Sequence, residues 1–264
     1  MNKIWSMVKI TTLDSLQNRT QGFIWSLTEV VPAIVMIFFW SKVFETQALV
    51  NGRSQADLIS YYLISALVVM LLITHPDHDV SGDINRGTLN NFLIKPMSYS
   101  VYSFIKELTY KLNRSIFVLP LYSLFILTLV LLTKQNLMLI FTPITVLLLI
   151  NSFILAFLIK YSIGLLAFWF TQVYWAIGLD DLLTVFLSGM LIPLYLFPAW
   201  FQELSNYLPF QLYVYVPVQS LLGQFSQNQN LHYWLIGLAW IVIFLFINWY
   251  MWQKGTKKYA AFGG

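Results

Sequence analysis

Three groups of residues in this 264-residue sequence have types and spacings that suggest chemistry. His75, His78 and Asp79, in the run HPDHD, offer the nitrogen and oxygen ligands that a zinc ion takes. Pro76 breaks helical spacing there and no further strong ligand is evident, so the run reads as the end of an apolar span and the start of a loop. Asp180 and Asp181 have the carboxylates of a general acid/base pair. Neighbours on a helix point about 100° apart, however, and the pair reads better as a span boundary at a helix N-terminus, where negative charge is favoured. Gly82-Asp-Ile-Asn-Arg-Gly87-Thr88 imitates a phosphate-cradling loop but lacks its lysine and the preceding strand, and no GxxxxGK[ST] occurs anywhere. His232, at the start of the last apolar stretch, is expected to be interfacial. With no cysteine, disulfides and thiolate ligands or nucleophiles are excluded. No nucleophile–base arrangement stands out, and the chain is expected not to be an enzyme or to hold a metal.

The elements that carry these residues follow from composition. Hydrophobic residues make up 58% of the chain and charged residues 10%, against roughly 45–50% and about 25% in ordinary globular proteins. A soluble enzyme of this size would need more charge to cover its surface, and 17% aromatic residues with a mean hydropathy of +0.70 oppose disorder. The first twenty residues lack the apolar core of a cleavable signal peptide. The expected fold class is an all-α polytopic membrane protein. The net charge of +4 suggests nucleic acid until the charges are located, and their distribution is that of membrane topology; no nucleic-acid partner is expected.

A helix needs about 20 apolar residues to cross about 30 Å of hydrocarbon. Seven stretches approach that length: 22–43, 57–75, 115–133, 137–159, 161–179, 182–201 and 231–252. Positive residues favour the cytoplasmic side. Lys3, Lys9 and Arg19 precede the first stretch, and Lys254, Lys257 and Lys258 follow the last. Both termini therefore belong inside, which requires an even number of crossings. Six crossings, with Lys160 inside, leave only Lys42, Arg53 and Lys134 outside among the 15 Lys and Arg. Residues 161–179 then read as the inner end of the fourth span plus an interfacial turn, with the fifth span from about Leu179 to Leu196.

Several regions of this single domain (residues 1–264) stand apart from the spans. Residues 1–21 read as an interfacial helix. Residues 76–114 form an inner loop, polar in its first half. In the second half Met97, Val101, Phe104, Ile105, Leu108 and Leu112 recur at helical spacing, so a surface helix is expected, its lysines reaching toward anionic head groups. The polar half suits contact with a soluble partner, or is a solvated connector. Residues 193–229 carry Pro193, Pro198, Pro209 and Pro217, no Lys or Arg and one acid, Glu203. Such a stretch is too broken for one span and too apolar for a free loop, so it should re-enter the outer leaflet packed against protein. Glu29, the lone acid of the first span, faces the bundle interior, a partner subunit or the inner head-group zone.

The whole pattern resembles the membrane (permease) subunits of ABC-2 type ATP-binding-cassette exporters. Arg86-Gly87-Thr88-Leu89 through Phe92-Leu93-Ile94-Lys95-Pro96-Met97-Ser98 is similar to the "G-x-L…L-x-K-P-hydrophobic-S" signature of one branch. Gly189, Pro193-Leu194, Phe197-Pro198, Leu208-Pro209-Phe210, Pro217 and Gly223 follow the same branch's outer segment. The resemblance implies a coupling element around Asp83, Arg86, Gly87, Leu89, Phe92 and Leu93 that docks on a separate ATP-binding subunit, two copies of it beneath two permeases, identical or paralogous. ATP and Mg would be bound by that ATPase, with no cofactor in this chain. It also implies export across a bacterial cytoplasmic membrane. The residues themselves leave two other readings open. An ATPase-independent secondary carrier or channel would use Glu29, Pro32 or Pro143, and a membrane enzyme would use His75, His78 or Asp79.

Overall fold

The structure is a computed structural model that describes residues 3–17, 19–133 and 137–259. It is helical throughout, with no strand among the described residues. In chain order the helices are α1 (Lys3–Gln17), α2 (Arg19–Val43), α3 (Gln55–Leu72), α4 (Pro76–Asn85), α5 (Asn90–Leu93), α6 (Tyr99–Thr133), α7 (Pro143–Leu165), α8 (Tyr174–Leu187), α9 (Ala199–Asn206), α10 (Tyr215–Leu221) and α11 (Gln227–Lys258). Lys134 and the side chains of Arg19 and Glu29 lie outside what is described.

Local sequence explains where the long helices begin. Ser54 and Asp57 form a reciprocal capping box ahead of α3, and Ser226 and Gln229 do the same for α11. Thr142 caps α7, with Pro143 at the first helical position, where its missing N–H costs nothing. Three helical stretches among the described residues are long and apolar enough to cross a membrane: Gln55–Asn85, Pro143–Phe168 and Gln227–Lys258. Shorter apolar runs, Val30–Val43 and Val118–Thr128, lie within α2 and α6.

The centre of the molecule is α3, α7 and α10, with Leu58, Tyr61, Ile64, Leu148, Leu155, Tyr161, Val214, Val216 and Val218 buried. α11 packs along α7 and leaves its other face bare, including Val242 and Phe246. Lipid tails are as apolar as leucine, so such helices associate through close packing. Gly237 of α11 lies against Asn151 of α7, where a Cβ would come within 2.5 Å of the Asn151 amide nitrogen.

The polar half of the expected inner loop is largely a helix, α4. Pro76 sits at its first position, Asp77 and Asp79 lie in its first turn, and Gly87 adopts a left-handed φ of 77° just beyond its end. The expected surface helix and third span form one continuous helix, α6, with no glycine or proline where the two join and with Pro120 held inside the helix. Its apolar stripe divides: Val101, Leu108 and Leu112 are exposed, Leu112 by 59%, whereas Phe104 turns in against Phe153 and Phe157 of α7. Its inward face is Ser103, Glu107, Lys111, Arg114, Val118 and Tyr122, all buried. The lysines therefore do not reach outward as expected: Lys111 donates to the Met70 carbonyl at 2.9 Å, and Lys106 pairs with Asp79 at 2.6 Å. α8 begins at Tyr174 and ends at Leu187, earlier than the expected fifth span. Asp180 and Asp181 lie within α8, not at its N-terminus.

Candidate functional site

Two ends of the bundle carry distinct polar features. At one end, where α4, α5 and the last turns of α7 and α11 meet, α4 buries Pro76, Asp77, Val80, Ser81 and Ile84. Gly164 makes room for it on α7: a Cβ there would meet Val80 Cβ at 2.7 Å and the Asp77 Cα at 3.1 Å. This close approach brings Asp77 to Lys160.

Lys160 is 2% exposed, and three carboxylates surround it. Asp180 lies 2.8 Å from its ammonium and Asp77 3.6 Å, and Asp181 accepts a short hydrogen bond from it. The Asp77 side chain is fully buried and that of Asp180 nearly so, whereas Asp181 is half exposed. Taking such groups out of water is unfavourable unless each finds an opposite charge. One cation thus holds α4, α7 and α8 together. The neighbouring sequence positions Asp180 and Asp181, which could not face one substrate as an acid/base pair, nonetheless converge on a single long lysine.

A second layer ties the segment after α4 to the rest. Asp83 accepts hydrogen bonds from Tyr99 and from Thr88, each at 2.7 Å. The Tyr99 ring stacks on Trp252 of α11 at 5.6 Å, and Phe92 meets Tyr99 edge-on at 5.2 Å. Lys95 lies over the Phe92 ring at 4.7 Å. The six expected coupling residues therefore divide. Asp83, Leu89 and Phe92 face inward, Leu89 being fully buried, and Gly87 makes the turn. Arg86 and Leu93 are exposed, as is Ile94, at 85%.

The side chains of the His75–Asp79 run, read from the sequence as a span end and loop start, do not converge on one point. Asp79 is engaged by Lys106, the His78 ring lies beside Tyr174, and among the described residues no group of three His, Cys, Asp or Glu side chains could hold a metal ion. Glu29 falls in α2, with its side chain outside the described set. The composition reading counted Lys160 only as a positive charge for topology. A lysine within the apolar run ILAFLIKYSIGL was the signal that could have found the cluster, since an ionisable residue there needs a partner.

At the opposite end the chain between α8 and α11 is a succession of short turns. Pro193 precedes the 3-10 turn Leu194–Leu196, Pro198 precedes α9, Pro209 precedes the 3-10 turn Phe210–Leu212, and Pro217 sits in the first turn of α10. Proline is tolerated at such starts because the N–H it lacks has no intrahelical acceptor. Side chains from the long helices satisfy the irregular backbone. Tyr61 donates to the Gly189 carbonyl at 2.7 Å, Tyr62 to that of Leu191 at 2.9 Å, and Ser152 to that of Leu212.

These arrangements bind helices to one another. The sequence pattern of the ABC-2 family transporter proteins matches residues 30–263. No curated protein and no solved structure matches the chain. With a match over most of its length and a helical, apolar architecture that agrees with it, this chain belongs to the ABC-2 family of transporter proteins.

Proposed function

We propose that this chain is the non-catalytic permease subunit of an ATP-binding-cassette exporter, driven by a separate ATPase that docks on the α4–α5 elbow. One observation carries the reading. The elbow is anchored on its inner side by the Lys160 cluster and by Asp83, and it presents Arg86, Leu93 and Ile94 outward. An exposed apolar tip at the charged end of a membrane protein is suited to a protein partner rather than to water. A push on that tip would be passed through Asp77 and Lys160 to α7 and α8. Two ATPase copies and a second permease, identical or paralogous, complete this assembly, and ATP and Mg belong to the ATPase. The family supports a transport subunit with an ATP-binding partner in general.

In this reading α2, α3, α6, α7, α8 and α11 are six crossings, both termini are cytoplasmic, and export runs outward across a bacterial cytoplasmic membrane. α8, with 14 residues, is about 21 Å long, short of the roughly 30 Å of hydrocarbon. The turns after it complete the crossing, and the chain then dips back as a re-entrant segment. In support, Leu212 meets Ser152, ten residues inside α7.

Co-purification tests the docking surface. Arg86→Glu with Ile94→Asp should release the ATPase and leave the permease folded. An ATPase that stays bound to this variant overturns the assignment. The Lys160 cluster is also the kind of intramembrane ionisable group that an ion-driven carrier uses. Transport by the purified chain in liposomes, with a proton gradient and no ATPase, would favour that second reading.

A further inference from the structure

At the end opposite the Lys160 cluster two cavities adjoin. The smaller, about 180 Å³, is polar, with Arg53, Asp57, Ser60, Gln219 and Gln224 around it. The larger, about 730 Å³, lies between α3 and α6 and is apolar, with Leu67, Leu119, Ile126, Leu127 and Leu139 in its wall. That volume falls within the roughly 300–1,000 Å³ of ligand pockets. Leu137 belongs to both cavities. It stands in a run without regular structure that Ile140 pins, donating its N–H to the Leu221 carbonyl at 2.8 Å. Gly223 makes room for this, since a Cβ there would collide with Ile140 Cδ1.

The depth of the apolar cavity can be read along α3. Leu67 lies ten residues beyond Asp57, about 15 Å along the helix, which is half of about 30 Å of hydrocarbon. The cavity is thus as deep as one leaflet. Two hydroxyls in its lining are already spent, that of Tyr122 on the Leu63 carbonyl at 2.6 Å and that of Ser123 on the Pro120 carbonyl at 2.9 Å. The lining therefore offers an occupant mainly apolar contact.

The polar cavity has the volume of about six waters at about 30 Å³ each, room for a small head group. It carries one charge of each sign. Arg53 rests on the Tyr195 ring and donates a hydrogen bond to Gln224 at 2.6 Å, which uses one of the five N–H donors of a guanidinium. Asp57 accepts from the Ser54 backbone and hydroxyl through a single oxygen, Oδ2. A phosphate beside Arg53 and an ammonium beside Asp57 would engage both charges at once.

We propose that these joined cavities hold a zwitterionic phospholipid of the outer leaflet, its head group between Arg53 and Asp57 and one acyl chain along the α3–α6 groove. The assignment rests on the reading of this end of the molecule as the outer one.

The full chain, purified in neutral detergent, is titrated with phosphatidylethanolamine while its thermal midpoint is followed. Diacylglycerol supplies the chains without the head, glycerophosphoethanolamine the head without the chains, and phosphatidylglycerol the same chains under an anionic head. Hydrogen bonds to charged groups are worth about tenfold or more, so phosphatidylethanolamine should bind at least about tenfold tighter than diacylglycerol. The head alone should not reproduce its effect, and phosphatidylglycerol, with no cation for Asp57, should bind more weakly. Leu127→Trp, at a position 53% exposed in the groove wall, should fill the groove and remove the stabilisation. Leu245→Trp, at a position 52% exposed on α11, should keep it. Equal binding of diacylglycerol or phosphatidylglycerol, or an equal loss in Leu245→Trp, overturns the proposal. Stabilisation by glycerophosphoethanolamine as large as by the lipid assigns the polar cavity to a soluble zwitterion and overturns the lipid. Leu127→Trp that separates copies of the chain while lipid binding persists gives the groove to a second copy and overturns it too. If Leu127→Trp does not fold, the four-ligand comparison on the unaltered chain still decides. Gln47→Cys, exposed between α2 and α3 in a chain with no native cysteine, should react with an impermeant maleimide on intact cells. Labelling without lipid preference sinks the lipid site alone. Lipid preference without labelling from outside sinks the reading of this end as outer, and the leaflet with it.

Discussion

Replacing Lys160 by methionine tests whether the buried cluster holds α4, α7 and α8 together. Methionine keeps most of the aliphatic stem, so packing along α7 changes little. The change strips the cation from Asp77, fully buried, and Asp180, about 7% exposed. Removing one partner of a buried ion pair costs about 3–5 kcal/mol, because the other charge is left without compensation. For 264 residues, an unfolding entropy of about 2.1 cal/mol/K per residue converts each kcal/mol to about 2 °C. Lys160→Met should therefore lower the thermal midpoint by about 6–10 °C, read from the fluorescence of the 10 tryptophans in detergent. Adding Asp77→Asn and Asp180→Asn removes the orphaned charges, and this triple variant should recover most of the loss. Asp181→Asn should cost under about 1 kcal/mol, since its side chain is half exposed. A single variant within about 2 °C of the unaltered chain, or a triple variant less stable than the single, would refute the account.

Three further predictions follow from contacts at the same end. Gly164→Ala gains about 1 kcal/mol of helix propensity, yet its Cβ would press on Val80 Cβ and the Asp77 backbone. Overpacking of about 1–3 kcal/mol should win, and the variant should melt lower and bind the ATPase less well; a higher midpoint would contradict this. Glu107→Gln should be stabilising, with a definite pH profile. A carboxyl pushed up to about 7 in the fold stabilises it below the ordinary value near 4.5, and that contribution is lost as pH rises through about 7. The glutamine mimics the protonated form, so its advantage should be large at pH 8 and small at pH 5, in paired melts at the two pH values; an advantage independent of pH would rule out burial as the cause. Tyr99→Phe keeps the stack on Trp252 but removes the hydroxyl that Asp83 accepts, a loss of about 1.5–3 kcal/mol for a bond to a charged group. Its midpoint should fall by a few degrees, and Asp83→Asn added to it should cost little more.

Much of the fold was legible without coordinates, because the relevant physics is local or global and seldom pairwise. Apolar composition required helices in a membrane, whereas the exact starts of three of them, at the caps Ser54, Thr142 and Ser226, came from the structure. The run from Arg86 to Ser98 carried the family resemblance, and the family match covers it. The prolines 193, 198, 209 and 217 announced a broken segment; the first three each precede a short helical turn, and Pro217 lies in the first turn of α10. The error on residues 97–114 has a physical cause. Periodicity locates a stripe but not what it faces: Val101, Leu108 and Leu112 of α6 turn outward, while Phe104 and the charged Glu107, Lys111 and Arg114 turn in.

The sequence by itself determined the class of molecule: a helical membrane chain with no nucleotide loop and no thiol chemistry. It did so because hydropathy and missing motifs require no knowledge of neighbours. Only the tertiary structure decided which charges meet. Lys160 finds Asp77 and Asp180 from positions 83 and 20 residues away, since Gly164 lets α4 close on α7 and α8 folds back alongside. The same packing made Asp83 an internal strut and left Arg86, Leu93 and Ile94 exposed. Long-range pairing of this kind depends on how helices cross, which a one-dimensional pattern does not record.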